Sequence, residues 1–167
     1  MISKVFSAGV LGVDGYEVAV ECSGFDRLPN FELVGLPDAA VKEAKERVRS
    51  ACENSGVRFP AMELTVNLAP ANIKKEGSAF DLAILVSILA VSGDLPKGCD
   101  LSHSTFIGEL SLSGELRPVR GVLPMVLAAR DAGRTTVYVP RENAGEASVV
   151  AGISVLGIAS VAELTEV

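Results

Sequence analysis

Residues Pro70 to Leu89 read PANIKKEGSAFDLAILVSIL: an exit from a strand, a basic polar loop, then an apolar run. Ser78-Ala79-Phe80-Asp81 has the S-x-x-D form of a helix start. In that form the Ser78 hydroxyl accepts from an orphan backbone N–H and the Asp81 carboxylate reaches back to the cap. Leu82, Ala83, Ile84, Leu85, Val86, Ile88 and Leu89 follow. A helix apolar on nearly every face is a buried one, so the other elements are expected to wrap around it. A serine at a loop-to-helix junction beside Lys74 and Lys75 also raises a Ser–Lys hydrolase as a rival function.

Upstream of this stretch the pattern is strand-rich. Residues 4 to 12 read as a strand, Val13-Asp14-Gly15 as a turn, and Tyr16 to Cys22 as an alternating strand, which together make a hairpin. Phe31 to Val34 is a short third strand. Asp38 caps a helix, in which Val41, Ala44, Val48 and Ala51 form one apolar stripe. Lys42, Glu43, Lys45, Glu46, Arg47 and Arg49 cover the remaining faces as a solvated surface, with Glu43–Arg47 as an i,i+4 pair; the functional alternative is a basic contact strip. Met62 to Leu68 alternates as a strand leading into the organising stretch.

Downstream, Thr105 to Leu110 is a strand, Ser113-Gly114 a turn and Glu115 to Pro118 extended. Val119 to Ala132 is a helix with Val122, Met125, Val126 and Ala129 inward, and Pro124 lies early enough in it to be tolerated. Thr136 to Val139 and Ile153 to Leu156 are strands, Pro140 to Ala147 is a loop or short helix, and Ser160 caps a terminal helical turn. Strands first, then helix alternating with strand, predicts one mixed-sheet α/β domain over residues 1–167 with an N-terminal hairpin and three main helices.

Composition bounds the function. With 167 residues and 49% hydrophobic content the chain can bury a core, and its net charge of -6 disfavours strong nucleic-acid binding except through a local patch. Cys22, Cys52 and Cys99 make no C-x-x-C and no even disulfide framework. No signal-peptide pattern opens the chain, and no apolar run approaches the roughly 20 residues of a membrane span, so the cytoplasm is the expected location and no membrane partner is expected.

The chemistry-bearing residues exclude more than they offer. His103 is the single histidine and has no Cys or His at ligand spacing, so no metal site is expected. With Asp100 as the nearest carboxylate it is placed in a surface loop, not in a Ser–His–Asp triad. The chain holds no Gly-Lys pair and no strand–G-x-G-x-x-G–helix unit, so neither a P-loop nor a dinucleotide site is present. A Ser78 nucleophile would need a deprotonated lysine. Every lysine lies at or before Lys97, and the later cations are arginines, which stay protonated. Lys74 and Lys75 are expected to stay charged in a polar loop, which leaves Ser78 a capping residue.

The strings GLPDAAVKEAKERVRSA, VNLAPANIKKEGSAFDLAIL and IGELSLSGELRPVRGVLPMVLAAR resemble the start of the ComM/YifB proteins, the Mg-chelatase-like AAA+ ATPases. In that family this region precedes the ATPase module and is similar to the proteolytic domain of Lon and the C-terminal domain of RadA. The resemblance implies a Lon-protease-like α/β fold. It also implies a cytosolic, ring-forming hexameric ATPase acting on DNA, with ComM members associated with branch migration in natural transformation. None of the ATPase motifs is present here, so ATP and Mg are expected only for the AAA+ module. This chain is then a non-catalytic N-terminal domain assisting ring assembly or regulation, and its partners are that module, a homo-oligomeric ring and, weakly, DNA.

Laid on this sequence, Lon's D-G-P-S-A-G-I-A string matches Glu76 to Ala83 and puts the nucleophile on Ala79. Its second string, G-E-x-x-L-x-G-x-V-x-P-I-G-G-x-K, matches Gly108 to Leu123 and puts the lysine on Leu123. The resemblance thus implies a vacated dyad, Ala79 and Leu123, expected as near neighbours in a closed apolar contact with Ser78 bonded to backbone near Asp81. The rival functions are a peptidase using Ser78 and a free-standing nucleic-acid-binding module. The candidate DNA or partner contacts are Lys42, Lys45, Arg49, Lys74 and Lys75, with Arg58 beside them.

Overall fold

Helix α3, Asp81–Ser92, buries ten of its twelve residues, as its unbroken apolar run requires. The structure, a computed structural model, describes residues 1–96 and 98–165. Around α3 the described chain runs β1 (Ile2–Leu11), β2 (Asp14–Phe25), β3 (Asn30–Val34), α1 (Ala39–Lys42), α2 (Ala44–Asn54) and β4 (Glu63–Ala69). After α3 come β5 (Ser104–Phe106), β6 (Glu109–Leu110), β7 (Leu116–Arg117), α4 (Val122–Asp131), β8 (Thr136–Pro140), a 3-10 turn at Arg141–Asn143, α5 (Ala144–Ala147), β9 (Ser154–Ile158) and α6 (Val161–Thr165).

Seven strands form one mixed sheet in the order β3-β4-β2-β1-β5-β8-β9. The β1–β2 hairpin and the β2–β4 pair are antiparallel; β3–β4, β1–β5, β5–β8 and β8–β9 are parallel. Strand residues alternate between faces, so Val5 and Ala8 of β1 point opposite ways and belong to two separate cores. Val5, Val20, Leu64 and Val66 pack with α2 and α3. Ala8, Val137 and Val139 pack with Val122, Met125 and Val126 of α4. Among the described residues the second face of the β3–β4 half carries no helix, and Glu32, Val34 and Thr65 are exposed there. The mixed α/β class expected from element order and from the resemblance is the class observed.

Several local expectations shift. The hairpin turn falls at Gly12-Val13, one residue early, because Asp14 already pairs with Leu11. The helix capped by Asp38 is interrupted at Glu43, giving α1 and α2, although Val41, Ala44, Val48 and Ala51 are all buried as the stripe predicts. Asp38 does cap, accepting from Val41 N–H at 2.8 Å. The strand placed at Thr105 to Leu110 divides into β5 and β6. Helix α4 begins at Val122, not Val119, because Gly121 adopts φ 75, a left-handed conformation that cannot continue a helix. Its inward residues are the four predicted. Among the described residues no helix is long and apolar enough to cross a membrane.

Candidate functional site

The loop before α3 is folded inward by Lys75. An isolated parallel bridge pairs Pro37 with Lys75, in which Lys75 N–H donates to Leu36 O at 2.9 Å and Asp38 N–H donates to Lys75 O at 2.9 Å. This places the Lys75 side chain in the interior, where it is 0% exposed. Its ammonium donates to Gly35 O at 2.8 Å and to Pro70 O. Burial pushes its pKa below the ordinary lysine value. The expectation of a solvated Lys75 is therefore corrected, and Lys75 leaves the set of candidate DNA or partner contacts. Lys74, one residue earlier, is exposed. Asp38, besides capping α1, accepts from Gly77 N–H at 3.3 Å and ties the loop to α1.

Ser78 does not cap α3. The cap position is Phe80, with no side-chain cap bond. The turn is closed by Asp81 N–H donating to Ser78 O at 3.2 Å, and the Ser78 hydroxyl donates to the Glu109 carboxylate on β6. This corrects the expected bond from Ser78 to backbone near Asp81. Asp81 does not reach back to the cap either. Its carboxylate, 1% exposed, accepts from Arg47 Nε at 2.6 Å, from Arg47 Nη2 at 3.0 Å and from Leu110 N–H at 3.0 Å. A carboxylate removed from water needs such partners, and the sequence-local reading could not supply them. Burial pushes the Asp81 carboxyl above its usual range, opposed by Arg47 and the Leu110 N–H, while the bond to Asp81 raises Arg47. Arg47 is thus not a solvated partner of Glu43. It lies three residues after Ala44 and four before Ala51, at the edge of the apolar stripe, and that spacing was the available signal.

Ser78, Ala79, Phe80, Glu109, Arg120 and Met125 line a hollow of about 550 Å³. Ala79 is buried and packs in the cluster that holds Val122 and Met125. Leu123 is 36% exposed and does not line the hollow. A helix that turns Val122, Met125, Val126 and Ala129 inward carries Leu123 toward solvent, so the closed, dry Ala79–Leu123 contact is replaced by an open hollow with Ser78 and Glu109 on its wall. His103 is exposed in a loop, as expected. Ser102 Oγ at 3.0 Å and Asp100 Oδ2 at 2.8 Å both meet the same ring nitrogen, Nδ1. A catalytic triad needs the two on opposite nitrogens.

The other candidate contacts are spread over several elements. Lys45 and Arg49 of α2 line a second hollow, of about 510 Å³, with Pro29, Phe31, Phe59 and Met62. Lys42 on α1 and Arg58 before β4 are exposed. Lys74 belongs to the loop before α3.

Comparison with known proteins fits this architecture. The family described as "Subunit ChlI of Mg-chelatase" matches residues 18–143. An uncharacterized protein of Mycobacterium tuberculosis is 44% identical over 163 residues, covering 98% of this chain and 32% of its own. Competence protein ComM of Haemophilus influenzae is 45% identical over 149 residues, 89% of this chain and 29% of its own. YifB of Escherichia coli is 40% identical over 151 residues, 90% and 29%. At lower similarity, DNA repair protein RadA of Listeria monocytogenes is 32% identical over 57% of the chain, and Lon protease of Mycolicibacterium smegmatis 26% over 80%. The chain spans about a third of the length of the closely similar curated relatives named here. It belongs to the Mg-chelatase subunit ChlI family, beside ComM and YifB.

Proposed function

We propose that this chain is a catalytically silent module of a larger, cytoplasmic Mg-chelatase-type AAA+ ATPase, where it supports assembly or regulation of a homo-oligomeric ring. One observation carries the reading. Ser78, the hydroxyl at the mouth of α3, is committed to the Glu109 carboxylate, while the neighbouring Lys75 turns its amine away to two backbone carbonyls. In the Lon-like register the nucleophile position is the methyl group of Ala79 and the lysine position is Leu123, so the dyad is vacated. ATP and Mg belong to the part of the protein beyond this chain. The name of the Haemophilus relative, a competence protein, supports a place in natural transformation. DNA contact by this module is weak and runs through Lys74.

Two measurements test this. A fluorophosphonate serine probe should leave the chain unlabelled; labelling that disappears in Ser78→Ala would overturn silence in favour of a carboxylate-assisted hydrolase. Deleting residues 1–167 from the full-length protein should reduce the assembled fraction in mass photometry or change the ATPase rate. If both stay at the wild-type value, the assembly and regulatory role is wrong.

A further inference from the structure

We propose that the outer edge of β3, with the hollow beside it, is a docking site for an extended acidic peptide segment that adds to the sheet as an eighth strand. This goes beyond the silent-module reading and does not depend on it. The sheet order puts β3 at one end, paired only to β4 among the described residues. In a parallel pair, alternate residues turn their backbone to the partner. Asn30 N–H donates to Met62 O at 3.2 Å, so Asn30, Glu32 and Val34 face β4. The N–H and C=O groups of Phe31 and Leu33 therefore face outward, a template for main-chain pairing.

The hollow at the start of this edge, about 510 Å³, supplies the specificity. Lys45 and Arg49 stand on its α2 wall with Glu46 between them, a net charge of one positive, and Pro29, Phe31, Pro60, Ala61 and Met62 line the rest of it with apolar groups. Lys42 and Arg58 are exposed and lie near Lys45 and Phe59 in sequence. None of these four cations forms an ion pair among the described residues, in a chain whose net charge is -6. Unpaired positive charge beside an open strand edge selects a segment with carboxylates on alternate residues. Nucleic acid is the other polyanion, and Phe59 argues against it. A stacking platform needs an open ring face, whereas the Phe59 ring already stacks on Phe31 at 5.8 Å and lies under the Arg49 guanidinium at 5.3 Å.

The test measures binding of fluorescent probes to the 167-residue chain by polarisation. The probes are a blocked seven-residue peptide alternating Glu with Thr and Val, the same peptide with Lys for Glu, two versions N-methylated on complementary alternate amides, and oligothymidylate. We expect the Glu peptide to bind and the Lys peptide to bind at least tenfold more weakly. One N-methylated version should lose at least tenfold and the other little, because only one set of amides reaches β3. Lys45→Glu with Arg49→Glu should lose at least tenfold at an unchanged melting temperature. Equal loss with both N-methylated versions overturns strand addition, because simple charge attraction does not distinguish the amide sets. Oligothymidylate binding that Lys45→Glu/Arg49→Glu abolishes, without peptide binding, overturns the proposal in favour of nucleic acid. Failure of the Glu peptide to bind overturns it outright. The N-methylated arms use the unaltered protein, so a misfolded variant cannot hide the answer.

Discussion

Arg47 on α2 and Asp81 in the first turn of α3 form a two-bonded ion pair, at 2.6 and 3.0 Å, across 34 residues of sequence. The same carboxylate takes the N–H of Leu110 on β6, so one nearly inaccessible Asp81 fastens α2, α3 and β6 together. Arg47 also donates to Ala40 O at 2.9 Å, which carries the link back into α1.

Arg47→Met leaves the Asp81 carboxylate buried without its cation and should cost about 3–5 kcal/mol, the usual penalty for breaking a buried pair from one side. Replacing both, Arg47→Met with Asp81→Leu, should recover a large part of that loss. Urea unfolding of the single and double variants measures both numbers; equal losses in the two would mean that Asp81 matters for its bond to Leu110 and not for the ion pair.

Lys74→Ala and Lys75→Met should separate cleanly. Lys75→Met removes the donor to the carbonyls of Gly35 and Pro70, and should cost about 1–3 kcal/mol per buried group left unpaired. It should not alter the salt dependence of whatever DNA affinity the chain has. Lys74→Ala should leave the melting temperature alone and lower the salt slope by about one, as expected for one lost phosphate contact. DNA titrations at several salt concentrations, beside thermal melts, check both.

Restoring the two dyad positions should not restore an enzyme. Leu123 is partly exposed, so Leu123→Lys should change stability by no more than about 0.5 kcal/mol. Ala79→Ser puts a hydroxyl in a buried apolar cluster and should cost about 1–3 kcal/mol. A fluorogenic peptide assay on the double variant should read background; turnover above it would show that the lysine reaches the serine after all.

The thiols should respond to pH in a defined direction. Burial pushes Cys22 and Cys52 up to about 11 from an ordinary 9.0, and Cys99 is also raised. A folded-state pKa raised above the unfolded one stabilises the fold while the proton is bound. The contribution of Cys22 and Cys52 is therefore complete below pH 9 and lost as pH climbs toward 11. Melting temperature should fall over that window, and the fall should shrink in Cys22→Ala/Cys52→Ala. At pH 8, Ellman's reagent should reach half-buried Cys99 first.

Gly35→Ala should be among the most damaging single-methyl additions. Gly35 has φ 103, and an added Cβ would stand 2.1 Å from Leu68 O, a backbone atom that cannot swing away. The loop that receives the Lys75 ammonium would have to move. Circular dichroism and thermal unfolding should show a loss of several kcal/mol or failure to fold; a shift under about 1 kcal/mol would show that the loop is freer than its backbone bonds imply.

The elements legible in the sequence are those whose signals are local and periodic. The solid apolar run after Asp81 made α3 a buried helix, alternation from Tyr16 to Cys22 made the second strand of the hairpin, and the spacing of Val122, Met125, Val126 and Ala129 set the inner face of α4. Asp38 capped its helix because the N–H it needed lay three residues on. The family strings also stood in the sequence. The partners of the charged and polar groups around the start of α3 follow from the folded arrangement. Ser78 meets Glu109 31 residues away, Lys75 meets Gly35 40 residues back, and Arg47 meets Asp81 34 residues on. Local rules assign a polar side chain to its nearest chain neighbour or to water. Once folding buries it, the desolvation cost is set by whichever groups the fold brings alongside, and a loop that reads as basic and solvated can close around its own lysine.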